Sequence, residues 1–106
     1  MEVKIKGETY KIKYTLRALF IFENITGKSF NVGSSMEQFL FYYSILLANN
    51  QGMTMTFDEF IDACEPEEEG SAEIIKAFSD MLTAQEKTMG LMKGDDEEDV
   101  KGEKKS

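Results

Sequence analysis

Hydrophobic and polar residues alternate with a period of two near the N-terminus, across residues 2–14. The segments EVKIK and TYKIKY flank the dipeptide Gly7-Glu8. This alternation predicts two antiparallel strands with one shared apolar face. Glycine as the first residue of a two-residue loop suits a type II′ turn. The predicted facing pairs are Lys6 with Thr9, Ile5 with Tyr10, and Val3 with Ile12. Because an isolated hairpin is marginal in water, its apolar face must pack on helices.

The remaining pattern has the three-to-four spacing of helices. A first helix is predicted over residues 16–25, with Thr15 as its N-cap and Gly27 after its C-terminus. The residues with helical spacing on its apolar face are Leu16, Leu19, Phe20 and Glu23, with Phe22 and Ile25 beside them. A second is predicted over residues 36–49, where Ser35 and Gln38 form a capping box. A short helix begins after Thr56, which forms another capping box with Glu59. A fourth begins near Ser71 and weakens past Thr88.

The last residues, 93–106, have no periodicity and a single apolar residue, Val100. Such a segment buries too little apolar surface to offset the entropy of ordering it. We therefore expect one domain over residues 1–92 and a disordered acidic tail over residues 93–106. The expected fold class is α+β: a two-stranded N-terminal hairpin packed on three to four helices.

The helix predicted over residues 36–49 is unusual because it is apolar on nearly every face. Such a helix must be covered on all sides. Phe39, Leu40, Tyr43 and Leu47 fit a core that the domain itself supplies. The other side, with Phe41, Tyr42 and Ile45, has two interpretations. It packs within the same chain, or it is an exposed patch for self-association or for a protein client.

The charge balance narrows the classes of partner. Twenty acidic residues against twelve basic ones give a net charge of -8, so nucleic acid and anionic membrane surfaces are not expected partners. The single cysteine, Cys64, precludes an intramolecular disulfide and fits a small core residue. The N-terminal sequence has no apolar signal core, and no apolar run is long enough to span a bilayer. We expect a soluble cytoplasmic protein.

Residues that carry common enzyme chemistry are sparse. The chain has no histidine and no cysteine pair, which removes the usual nucleophilic triads and nearly all zinc sites. Asp58 and Asp62 are better explained as the solvated face of a helix. Gly27-Lys28-Ser29 lacks the earlier glycine of a phosphate-binding loop. The loop around Gly52 has Leu47 at the first position of a calcium loop and no bidentate glutamate at the twelfth. The expectation is no catalysis, no cofactor, no metal and no small-molecule substrate.

The order of three segments resembles small tail assembly chaperones of long-tailed phages and prophages. These are YTLRALFIFENITGKSF, FLFYYSILLANN and MTFDEFIDAC, and the resemblance covers residues 3–64. It implies a non-enzymatic protein that binds the tape-measure protein, or a tail-tube protein, in the bacterial cytoplasm. The implied binding mode is an apolar groove that receives a client helix. The groove residues expected on this basis are Phe39, Phe41, Tyr42, Ile45 and Leu46. The alternative is a structural adaptor or virion component that self-associates through the same helix.

Overall fold

The hairpin and four helices follow one another along the chain. The computed structural model describes the backbone of residues 1–93 and the side chains of residues 1–84. Its elements are β1 (Glu2–Ile5), β2 (Glu8–Lys11), α1 (Leu16–Thr26), α2 (Ser35–Asn49), α3 (Phe57–Cys64) and α4 (Ser71–Lys93). The α+β class, with an N-terminal hairpin packed on helices, is confirmed. The tail predicted over residues 93–106 lies, from residue 94 onward, outside the described residues.

The hairpin has a different turn from the one predicted. Val3 pairs with Tyr10 and Ile5 with Glu8, so the loop is Lys6-Gly7 and the predicted register is wrong by two residues. Both loop residues have positive φ, 52° and 84°, as a type I′ turn requires. Side chains alternate between the faces, so a two-residue shift leaves the same residues on the apolar face. Val3, Ile5 and Ile12 are therefore buried, as expected.

Side chains at the end of α2 hold the outer edge of β2. The Lys11 amide donates to Asn50 Oδ1 at 2.9 Å, and Asn50 Nδ2 donates to the Lys11 carbonyl at 2.8 Å. Asn49 Nδ2 donates to the carbonyl of Lys13 at 2.9 Å. The two asparagine side chains thus take the place of a third strand beside β2 and fix the sheet to the C-terminal end of α2.

Helix caps mostly follow the sequence. The Thr15 hydroxyl accepts from the amide of Ala18, and Gly27 ends α1 with φ of 74°. The capping box of Thr56 and Glu59 is present at the start of α3. The N-cap of α2 is Ser34, one residue earlier than predicted.

The core is built around α2. Its buried neighbours come from the hairpin, α1, α3 and α4, and they include Val3, Ile5, Ile12, Ala18, Phe22, Phe60, Ala63, Cys64, Ile74, Phe78 and Met81. The ring of Tyr42 stacks on Phe78 of α4 with centroids 4.6 Å apart, and Phe60 of α3 meets Phe78 edge-on at 5.9 Å. The domain itself therefore covers most of α2, although Met36 at its N-terminal end stays exposed.

Candidate protein-binding surface on α1

The five residues predicted to bind a partner lie in or beside the core. Phe41, Tyr42, Ile45 and Leu46 are buried, and Ile45 and Leu46 have 0% of their surface exposed. Phe39 is half-buried and packs against this core. The interpretation of Phe41, Tyr42 and Ile45 as an exposed patch is wrong for this structure. Their contact with a client, or with a second copy, stays a prediction.

Aromatic contacts explain why the supposed free side of α2 is covered. Phe41 meets Phe22 of α1 edge-on at 5.8 Å and Phe30 of the following loop at 5.0 Å. It also meets Tyr14 at 5.8 Å. Edge-to-face pairs at such distances stabilise aromatic clusters beyond the effect of burial alone. The loop that leaves α1 thus folds back over α2.

The hydroxyl of Tyr42 is satisfied inside the same cluster. Gln38, one turn earlier, donates its Nε2 to the Tyr42 hydroxyl at 2.7 Å. A buried tyrosine needs such a partner because an unpaired polar atom in the core costs free energy. The contact identifies Tyr42 as a packed and hydrogen-bonded core residue in this conformation.

Large apolar side chains are exposed on α1 instead. Leu16 is 67% exposed and Phe20 is 62% exposed. The two residues are four apart, so they lie on the same row of the helix. Residues two apart are separated by about 200° around a helix. Phe20 therefore points away from the core that Phe22 enters.

An open surface cavity accompanies these two side chains. It has a volume of 560 Å³ and is lined by Leu16, Arg17, Phe20, Ile21 and Asn24. We call these five residues the α1 outer surface. The row of Leu16, Phe20 and Asn24 lies beside the row of Arg17 and Ile21, and adjacent rows of this kind form the ridges and grooves into which another helix packs. A polar amide and a guanidinium flank the apolar centre.

Sequence reasoning assigned the wrong face of α1 to the core. It centred the apolar face on Leu16, Leu19 and Phe20, with Phe22 and Ile25 beside them, whereas the structure buries Ala18 and Phe22 and half-buries Leu19. Both sets have helical spacing, so periodicity alone does not distinguish them. The sequence does contain a hint of this arrangement, because α1 has apolar residues on two opposite faces. A surface helix needs only one apolar face to pack on the core.

A second cavity lies between the hairpin turn and α3. It has a volume of 320 Å³ and is lined by Ile5, Lys6, Glu8, Tyr10, Thr54, Met55, Glu59 and Asp62. Partial burial and the nearby Glu8 carboxylate raise the pKa of Tyr10. Among the described residues, no group of three or more acidic or cysteine side chains is arranged to hold a metal ion. The cavity offers acidic and hydroxyl groups without a recognisable catalytic constellation.

Cys64 is a buried core residue, as predicted. Burial, reinforced by the neighbouring Glu65, raises the pKa of its thiol from 9.0 to about 11. The reactive species of cysteine is the thiolate. A thiol that stays protonated and covered is a poor nucleophile.

Within the described residues, no helix combines the length and the apolar character needed to cross a membrane.

Comparisons with known proteins leave the family of the chain open. Neither the protein-family models, nor the curated proteins, nor the solved structures give a match to this chain.

Proposed function

We propose that the protein is a non-enzymatic tail assembly chaperone that binds the tape-measure protein of a phage or prophage in the bacterial cytoplasm. The observation that carries the proposal is the α1 outer surface, where Leu16 and Phe20 are exposed on the side of the helix opposite the core. Large apolar side chains exposed together are typical of surfaces that bind other proteins. The resemblance of residues 3–64 to such chaperones supplies the class of client.

The shape of the α1 outer surface suits a helical client. The 560 Å³ surface depression is lined by two neighbouring rows of side chains on α1, and a client helix would place one apolar residue from each turn against them. The guanidinium group of Arg17 lies at its border. It would favour a client helix with an acidic residue beside its apolar stripe.

The expected affinity suits a chaperone that must release its client. Fully burying a leucine or phenylalanine side chain contributes about 1.5–3 kcal/mol. Leu16 and Phe20 are each about one third covered already, so together they offer roughly 2–4 kcal/mol before the cost of association. A long client with several apolar stripes would recruit several copies of the chain. Binding of each copy would be weak and reversible.

The buried α2 residues have a supporting role in this proposal. Phe41 packs on Phe22, which lies on the inner side of α1. This contact fixes the inner side of α1 against the core and leaves Leu16 and Phe20 facing outward. Substitution of Phe41 would therefore weaken client binding through loss of the fold, without contact between Phe41 and the client.

Co-expression with the tape-measure protein tests the proposal. The wild-type chain is expected to keep fragments of that protein soluble and to co-purify with them. The double variant Leu16→Asp/Phe20→Asp should lose both effects while it remains folded, because both side chains are exposed. The matched control is Met36→Asp on α2, since Met36 is 66% exposed. It introduces one aspartate, half the charge added by the double variant, at an equally exposed apolar position.

Three results would contradict the proposal. The first is that the wild-type chain leaves the fragments insoluble and unbound. The second is that Leu16→Asp/Phe20→Asp binds as well as the wild type, which would place the client elsewhere. The third is that Met36→Asp weakens binding as much as the α1 variant, which would show a general effect of charge.

A further inference from the structure

The backbone groups of β1 face alternately toward β2 and away from it. The amide of Ile12 donates to the carbonyl of Met1 at 2.9 Å, so Met1 and Ile12 form a hydrogen-bonded pair. In an antiparallel ladder such pairs alternate with pairs that are not hydrogen-bonded. In the observed register, the backbone groups of Val3 and Ile5 therefore face β2. Those of Glu2 and Lys4 face outward.

The two edges of the hairpin differ in their partners. Asn50 and Asn49 occupy the outer edge of β2 through the backbone groups of Lys11 and Lys13. Among the residues that the structure describes, no hydrogen bond engages the outward backbone groups of Glu2 and Lys4. Both residues are exposed. Unpaired strand edges readily accept another strand.

We infer that β1 is a homodimerisation edge, at which a second copy of this chain adds its own β1 in antiparallel orientation. The two-fold axis passes between the two copies of Val3. Glu2 of each copy then faces Lys4 of the other. The result is a continuous four-stranded sheet in the order β2-β1-β1-β2.

Hydrogen-bond geometry selects this register. Glu2 and Lys4 both direct their amide and carbonyl groups outward, so a pairing centred on Val3 matches each Glu2 with a Lys4 and makes four backbone hydrogen bonds. A register shifted by one residue would bring Glu2 opposite Val3, whose amide is already turned toward β2. The hydrogen-bond pattern between β1 and β2 therefore permits the pairing centred on Val3. It disfavours the two registers that are shifted from this pairing by one residue.

Charge complementarity selects the same register. A pairing centred on Glu2 would bring two carboxylates together, and one centred on Lys4 would bring two ammonium groups together. Only the Val3-centred pairing places an acidic residue opposite a basic one at both positions. Opposite charges directly across two strands stabilise a sheet, whereas like charges destabilise it.

The assembly closes after two copies. Once the β1 strands are paired, the remaining edges belong to β2, where the Asn50 side chain bonds both backbone groups of Lys11. This contact hinders the addition of a further strand, as in a closed two-fold dimer. Since β1 has only four residues, the interface is small and the dimer should form reversibly at high protein concentration.

Sedimentation velocity over a concentration series, with two charge variants, tests the inference. The wild-type chain should pass from monomer to dimer as its concentration rises. Glu2→Lys or Lys4→Glu alone should each weaken the dimer by about tenfold or more, because two attractive cross-strand pairs become repulsive. An equimolar mixture of the two variants should dimerise again, since the introduced lysine of one faces the introduced glutamate of the other.

The mixture also controls for folding and net charge. A variant that failed to fold could not be rescued by mixing. Lys13→Glu makes the same charge change as Lys4→Glu at an exposed position outside β1, and it should leave the dimer unchanged. A wild-type chain that stays monomeric throughout the series would overturn the inference. So would a mixture that associates no better than the separate variants.

Discussion

Truncating one leucine on α2 and one on α1 compares the two helices by the same chemical change. Leu46 has 0% of its surface exposed and belongs to the core, whereas Leu16 is 67% exposed. Leu46→Ala should lower the free energy of unfolding by about 2–5 kcal/mol, because it removes buried methyl groups and leaves a cavity. Leu16→Ala should change it by no more than about 0.5 kcal/mol, as is usual for an exposed position.

Denaturant and thermal unfolding followed by circular dichroism measure both effects, since the chain has no tryptophan to report by fluorescence. In a domain of this size, 1 kcal/mol corresponds to about 4–8 °C in Tm. Leu46→Ala should therefore lower Tm by roughly 8 °C or more, while Leu16→Ala stays close to the wild type. The reasoning would be refuted by equal losses, or by a larger loss at Leu16, because either would mean that α1 presents its other face to the core.

Three further predictions concern local features. Asn50→Ala should reduce stability by about 1–2 kcal/mol, through loss of both hydrogen bonds to the backbone of Lys11; an unchanged denaturation midpoint would show that water replaces them fully. Gly27→Ala should cost about 1–2 kcal/mol because φ at Gly27 is 74° and nothing else opposes the added methyl group. Gly33→Ala, where φ is ordinary, should have a smaller effect in the same unfolding assay. Cys64 should react with a thiol reagent at pH 8 only slowly until denaturant is added, because its folded pKa is about 11. Since that pKa is raised, the contribution of the neutral thiol to stability is complete below pH 9 and declines as the pH rises toward 11; rapid labelling of the native protein would contradict this.

The elements were predictable where local chemistry decides them. Thr15 and Gly27 bound α1 as the sequence indicates, and Thr56 begins α3. In each case one side chain, or one glycine conformation, satisfies the end of a helix without reference to the rest of the fold. The fold class followed from the change of period between hairpin and helices.

Features that depend on how the helices and strands pack on one another could not be predicted from the hydrophobic pattern. The buried face of α1 is one of two apolar faces, and only the position of α2 selects Phe22 over Phe20. The hairpin register is one of two that bury the same residues. The apolar helix α2 required cover on all sides, but its pattern could not say whether the same chain or a partner supplied it. Asn49 and Asn50 were expected only to end α2, and their bonds to β2 depend on tertiary structure.

Chemical-shift mapping by NMR tests the central claim, that the client-binding surface is on α1, most directly. A soluble helical fragment of the tape-measure protein is titrated into the isotope-labelled chain, and the amide signals of residues 1–84 are followed. The account predicts that the largest shifts concentrate on Leu16, Arg17, Phe20, Ile21 and Asn24, and that they vanish in Leu16→Asp/Phe20→Asp. Shifts centred on α2, or on the hairpin with α1 unaffected, would contradict it.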